Sequence, residues 1–272
     1  MPALSLYSFL NRHLLFTLIG ALLTITASAQ KQPNKQATGL RAPAQVKIDG
    51  KDTEWHNQFQ AYNNATEVFY SMANDNENLY LSVQATQPDI INKIMSGGIT
   101  LTIQKSTKKD NKSSVSITYP IAANAPYFGL RRKKNIEEDT TAKTADSIMK
   151  RNNALIVKSC KWIRVTGIPG VDSLTSIYNV NGIKAAGLFD NKKVYTCELS
   201  VKLEHLKTAI ANGQTFNYHI RINGSKTPVS FTAVSASQGN DAVMQQFIEK
   251  ANAMGIQQAA ATDFWGEYTL VK

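Results

Sequence analysis

Hydrophobic and polar residues alternate with a period of two along much of this chain. Within residues 194–203, Cys197, Leu199, Val201 and Leu203 share one face, while Thr196, Glu198, Ser200 and Lys202 share the other. That pattern predicts a half-buried strand. Phe216, Tyr218, Ile220 and Ile222 alternate in the same way with Asn217, His219, Arg221 and Asn223, as do Ile99, Leu101 and Ile103 with threonines and Gln104. Val115, Ile117 and Tyr119 repeat the pattern up to Pro120, and residues 264–271 read as a closing strand. The strand-like runs 66–72 and 79–83 flank Asn74-Asp75-Asn76-Glu77-Asn78, a cluster of turn-forming side chains, so the pair reads as a hairpin.

Helical spacing is rarer. Pro88 opens a short helix that ends at Gly97-Gly98, and another covers residues 204–211 ahead of Gly213. Val243, Phe247, Ala251 and Met254 keep helical spacing behind a cap at Asn240 or Asp241. No repeat of 20 to 50 residues recurs. Many short strands with turn signals and a few short helices predict an all-β fold, an antiparallel β-sandwich of immunoglobulin- or jelly-roll-like type.

The first 29 residues change the picture of the chain's destination. Arg12 and His13 precede an uncharged apolar run over residues 14–27, which ends in Ala27-Ser28-Ala29. Fourteen residues are short for a membrane crossing of about 20, and the small-x-small ending fits a signal-peptide cleavage site. The expectation is an exported protein, periplasmic or secreted, cut near Ala29. Residues 30–45 contain two prolines and little apolar material and read as a flexible leader. Residues 46–272 then form one domain.

Ile48-Asp49-Gly50 with Glu54-Trp55, the Asp75 to Leu81 hairpin, and Tyr195-Thr196-Cys197-Glu198-Leu199 followed by Leu206 occur in that order along the chain. They resemble the motifs of family 9 carbohydrate-binding modules and their DOMON-like relatives. Residues 216–224 and 264–270 follow in the order that family shows, whereas the centre, residues 104–193, diverges from it. The resemblance implies a β-sandwich that binds a ligand, usually a sugar, without catalysis. The Ser-Ala-Gln junction at the cut resembles exported proteins of the Bacteroidetes type. Sugar-binding members carry tryptophans near the segments that here read 92–98 and 257–261, and neither segment holds an aromatic residue. No ligand residue of the family transfers to this chain.

Candidate binding aromatics must therefore be read from the chain itself. Trp55 and Trp265 fit core positions. Trp162 lies in a run where Cys160, Trp162 and Arg164 alternate with Ile163 and Val165, making it a candidate for surface stacking. Tyr127 and Phe128 sit in a loop flanked by Ala, Pro and Gly beside Arg131, a second candidate.

Composition excludes several classes. The chain has 272 residues, 43% of them hydrophobic, with 30 Lys+Arg against 20 Asp+Glu and a net charge of +10. Two cysteines cannot build a disulfide scaffold or a four-Cys zinc site; Cys160 and Cys197 could pair after export or stay as packed thiols. The histidines are isolated, and no P-loop, dinucleotide-binding glycine pattern or G-x-S-x-G elbow is present, so no cofactor and no catalytic site are expected. Asp49, Asp52 and Glu54, or Asn74 to Glu77, carry oxygen ligands but not EF-hand spacing, and no metal is expected. Charge is concentrated: Lys105, Lys108, Lys109, Lys112, Arg131, Arg132, Lys133 and Lys134 face only Asp110, a net +7. Such a patch would attract polysaccharide or acidic envelope glycan, and export argues against nucleic acid. The leading reading is a non-catalytic binding module. Its rivals are an envelope structural or assembly protein and, behind both, a protein of glycoside hydrolysis whose two carboxylates are far apart in sequence.

Overall fold

The computed structural model describes residues 32–55, 58–106, 113–122, 142–210, 214–225 and 241–272. Eleven strands among them form two antiparallel sheets. One sheet has five strands in the order β1 (Ala61–Asn63), β2 (Val68–Asn74), β3 (Asn78–Ala85), β9 (Tyr195–Lys202) and β8 (Ile183–Phe189). The other has six, β11 (Thr262–Thr269), β10 (Thr215–Ile222), β4 (Ile99–Gln104), β5 (Val115–Ile121), β6 (Trp162–Thr166) and β7 (Leu174–Ser176). Inward-facing side chains of both sheets, among them Tyr70, Leu81, Leu199, Leu101, Ile117 and Tyr218, make one continuous core. The protein is an antiparallel β-sandwich.

The predicted 66–83 hairpin is β2–β3. Its turn is held by the Asp75 carboxylate, which accepts from the backbone N–H groups of Glu77 (2.7 Å) and Asn78 (2.6 Å) and from the Tyr80 hydroxyl (2.6 Å). This is Asx-turn chemistry. Helix α1 (Pro88–Gly97) begins at the predicted proline and ends against Gly98, whose φ of 81° suits a residue without Cβ. Of two further helices, the first has no counterpart among the predicted helices and the second extends the predicted 243–254 spacing at both ends. Helix α2 (Ala142–Ser159) spans 18 residues in the divergent centre, and α3 (Asp241–Ala259) spans 19. The predicted 204–211 helix is a 3-10 turn over Leu203–Leu206. The divergent centre contributes β5, β6, β7 and β8, so it supplies half of the six-stranded sheet and one edge of the other.

The polar faces of β2, β3 and β9 are not open to solvent. Residues 40–55 lie across them, and Trp55, Ala73 and Tyr80 form a second small core with Leu40, Ala42, Val46 and Ile48. Trp55 is buried as expected, but in this outer layer and not between the sheets. The proline-bearing leader is also pinned. Gln36 is buried, its side-chain amide donates to the Met72 carbonyl and accepts from the Met72 N–H, both at 2.8 Å, and its own N–H donates to the Tyr70 hydroxyl. An amide carries the donor and acceptor of a peptide group, so Gln36 stands in for a strand along β2. Arg41 and Asn74 continue that edge as a parallel bridge.

Candidate functional site

The outer face of the six-stranded sheet is polar and aromatic. Alternation sends Phe216, Tyr218, Ile220 and Ile222 of β10 inward and turns Asn217, His219 and Arg221 outward. Register then aligns outward residues of neighbouring strands into rows. Arg221 pairs with Thr100, Thr100 with Thr118, and Thr118 with Arg164, which makes one row across β10, β4, β5 and β6. The next row runs Trp265, His219, Thr102, Ser116 and Thr166. Hydroxyls bridge the strands in both rows, Thr100 to Thr118 and Thr102 to Ser116, each at 2.8 Å. Trp265 stacks on His219 with ring centroids 4.4 Å apart and planes 12° from parallel.

At one end of this face lies a cleft of about 340 Å³ lined by Thr100, Thr118, Arg164, Arg221, Asn223 and small residues. Its wall forms where the ends of α1 and α3 meet the end of β10. A Cβ on Gly97 would come within 2.4 Å of the Gly224 carbonyl oxygen, and one on Gly224 within 1.8 Å of that of Ala259. Only glycine permits this approach. Asn223 fastens the wall to the floor, its side-chain amide donating to the Gly97 carbonyl (3.1 Å) and to the Thr100 hydroxyl (2.8 Å).

A different chemistry sits on the five-stranded sheet. Glu198 is 1% exposed, and its carboxylate accepts from the N–H groups of Asp49 (3.1 Å) and Gly50 (2.9 Å) and from the Trp55 indole (3.3 Å). Burial outweighs these donors and pushes its pKa up to about 7. Burial also raises Asp52, against hydrogen bonds from its own backbone and Gln84. Glu198 lies beneath the 46–55 segment and Asp52 belongs to it, and neither lines the cleft.

Trp162 stands half-buried on the same outer face as Arg164, two residues away along β6 and opposite Ser176 of β7. Tyr127, Phe128, Arg131, Arg132, Lys133, Lys134, Lys108, Lys109 and Lys112 lie outside the described residues. Lys105 is exposed just past β4, where its carbonyl accepts from Asn217. Cys160 and Cys197 are both buried free thiols, and burial pushes Cys160 up to about 12. Trp265 requires a correction: it is on the outer face, not in the core, because Phe264 takes the inward position of the alternating pair. Sequence reasoning did not single out Arg221 or His219 as site residues. Their only signal was their place on the polar side of a predicted strand.

No family model matches this chain, and no curated protein does. Among the described residues, no helix is long and apolar enough to cross a membrane, and no group of three or more His, Cys, Asp or Glu could hold a metal ion.

Proposed function

We propose that this protein is an exported, non-catalytic binding module for polysaccharide, acting in the periplasm or outside the cell. The reading rests on one observation: the outer face of the six-stranded sheet offers the Trp265–His219 stack beside two bridged hydroxyl pairs. A sugar ring presents an apolar C–H face and equatorial hydroxyls, and such a face meets both. Stacking supplies contact area, while hydroxyls and amides fix orientation. The order of motifs resembling family 9 carbohydrate-binding modules supports the same reading. The two carboxyls with raised pKa are engaged in packing the 46–55 segment, which favours binding over hydrolysis.

The test is retention of the chain on immobilised polysaccharides at low ionic strength, comparing Trp265→Ala and Trp162→Ala with the parent. Loss of an aromatic stacking contact should weaken binding about tenfold, from a stacking contribution of about 1 kcal/mol or slightly more. Undiminished retention by both variants would refute the assignment of this face.

A further inference from the structure

We infer that the cleft at the Asn223 end of the six-stranded sheet recognises a carboxylate of an acidic polysaccharide through Arg164 and Arg221. This rests on the polysaccharide reading above and specifies its ligand class. The two arginines belong to one register row, separated by Thr100 and Thr118. Three strand spacings put their backbones roughly 14 Å apart, and both side chains line the same cleft. Among the described residues no ion pair or side-chain hydrogen bond occupies either guanidinium. Asp263 is the cross-strand neighbour of Arg221, yet its Oδ1 lies 3.1 Å from His219 Nε2.

The surroundings favour an anion with a sugar attached. Two fixed positive charges flank a floor of hydroxyls and the Asn223 amide, which suits a charged substituent on a hydroxyl-rich body. The guanidinium fork matches a planar carboxylate in bidentate fashion. Gly97, Gly224, Ala259 and Ala261 leave the wall without bulk, and about 340 Å³ is within the range of small-ligand clefts. The C-terminal ends of α1 and α3 oppose an anion with partial charges of about −0.5 each. Their last carbonyls are already engaged, Gly97 by the Asn223 amide, Ile94 by the Gly98 N–H, Gln258 by the Ser225 N–H and Ile256 by the Ala260 N–H. Two full positive charges outweigh what is left.

The test measures affinity of the whole exported chain for polygalacturonate, dextran sulfate and uncharged dextran. It compares the parent with Arg164→Ala, Arg221→Ala, the double Arg→Lys variant and Lys184→Ala. Lys184 is exposed on β8 of the other sheet, so it removes one charge far from the cleft. The expected result is binding of polygalacturonate that falls about tenfold or more in each Arg→Ala variant. The lysine pair should retain part of the affinity, Lys184→Ala all of it, and the salt dependence should flatten in the Arg→Ala variants. Equal losses in Lys184→Ala would overturn the inference in favour of bulk charge. Binding of dextran sulfate alone would overturn carboxylate recognition. Uncharged dextran held through Trp265, with the Arg variants unaffected, would overturn the inference and leave the polysaccharide reading standing. Failure of every polymer to bind would reject that reading too.

Discussion

The hydroxyl oxygens of Tyr70 and Tyr218 meet at 2.8 Å between the two sheets, Tyr70 from β2 and Tyr218 from β10. Tyr70 also accepts from the Gln36 N–H at 2.9 Å, so one buried chain of hydrogen bonds joins the N-terminal segment, the five-stranded sheet and the six-stranded sheet. Tyr218→Phe removes one partner and should cost about 1–2 kcal/mol. Tyr70→Phe strands both the Gln36 N–H and the Tyr218 hydroxyl and should cost more, by about 1 kcal/mol. Urea denaturation of both single variants and the double variant checks this. Costs that simply add would deny the coupling.

Glu198 makes stability depend on pH. Its pKa in the folded protein is pushed above the ordinary 4.5 to about 7, so the native state holds the proton more tightly than the unfolded chain. The linked stability is fully present below about pH 4.5 and is lost as pH rises through about 7, a change of about 3 kcal/mol. Glu198→Gln cannot titrate. Relative to the parent, its melting temperature should improve steadily from acid to neutral pH, and a constant difference across that range would contradict the assignment.

Gly266 lies under the ring of Tyr218, where a Cβ would come within 2.2 Å of the ring carbon bearing the hydroxyl. Tyr218 is fully buried and has no room to withdraw. Gly266→Ala should therefore destabilise by about 1–3 kcal/mol through overpacking. Gly170 gives the contrast. It has open space around it but a φ of 77°, so Gly170→Ala meets only backbone strain, about 1 kcal/mol. Thermal unfolding of the two variants should rank them in that order.

Amide side chains act as strand partners at several edges. Asn153 of α2 donates to the Phe189 carbonyl (2.9 Å) and accepts from the Phe189 N–H (2.7 Å), closing the free side of β8. Asn74 does the same for the Val271 carbonyl and N–H, tying the C-terminal end to β2. An edge left unpaired is a template for association with another chain. Asn153→Leu should cost about 2 kcal/mol and raise self-association, measured by denaturation and by light scattering at increasing concentration.

These amides show where local reading stops. Asn74 was legible as a turn residue because Asp75 to Asn78 follow it, and the hairpin is there. Its second role, pairing with Val271 across 197 positions, has no local signature. Gln36 belonged to a polar, proline-bearing run that reads as unstructured, yet its partner Met72 lies 36 residues away. Trp265 was misplaced for a simpler reason. It is as apolar as its neighbour Phe264, and only the pairing of His219 with Trp265 decides which of the two faces outward.

Period-two alternation and turn chemistry were enough to determine the β-rich class, the 66–83 hairpin, α1 and the strands β4, β5, β9, β10 and β11. Each of these depends on residues within a few positions of one another. Tertiary structure decided the fate of the two polar faces. Alternation says that a strand has a polar side, but whether that side meets water depends on which distant segment docks there. Residues 40–55 cover the polar side of β9 and bury Glu198. On β10 the polar side keeps Arg221 exposed, and register brings it into line with Arg164 to form the candidate site.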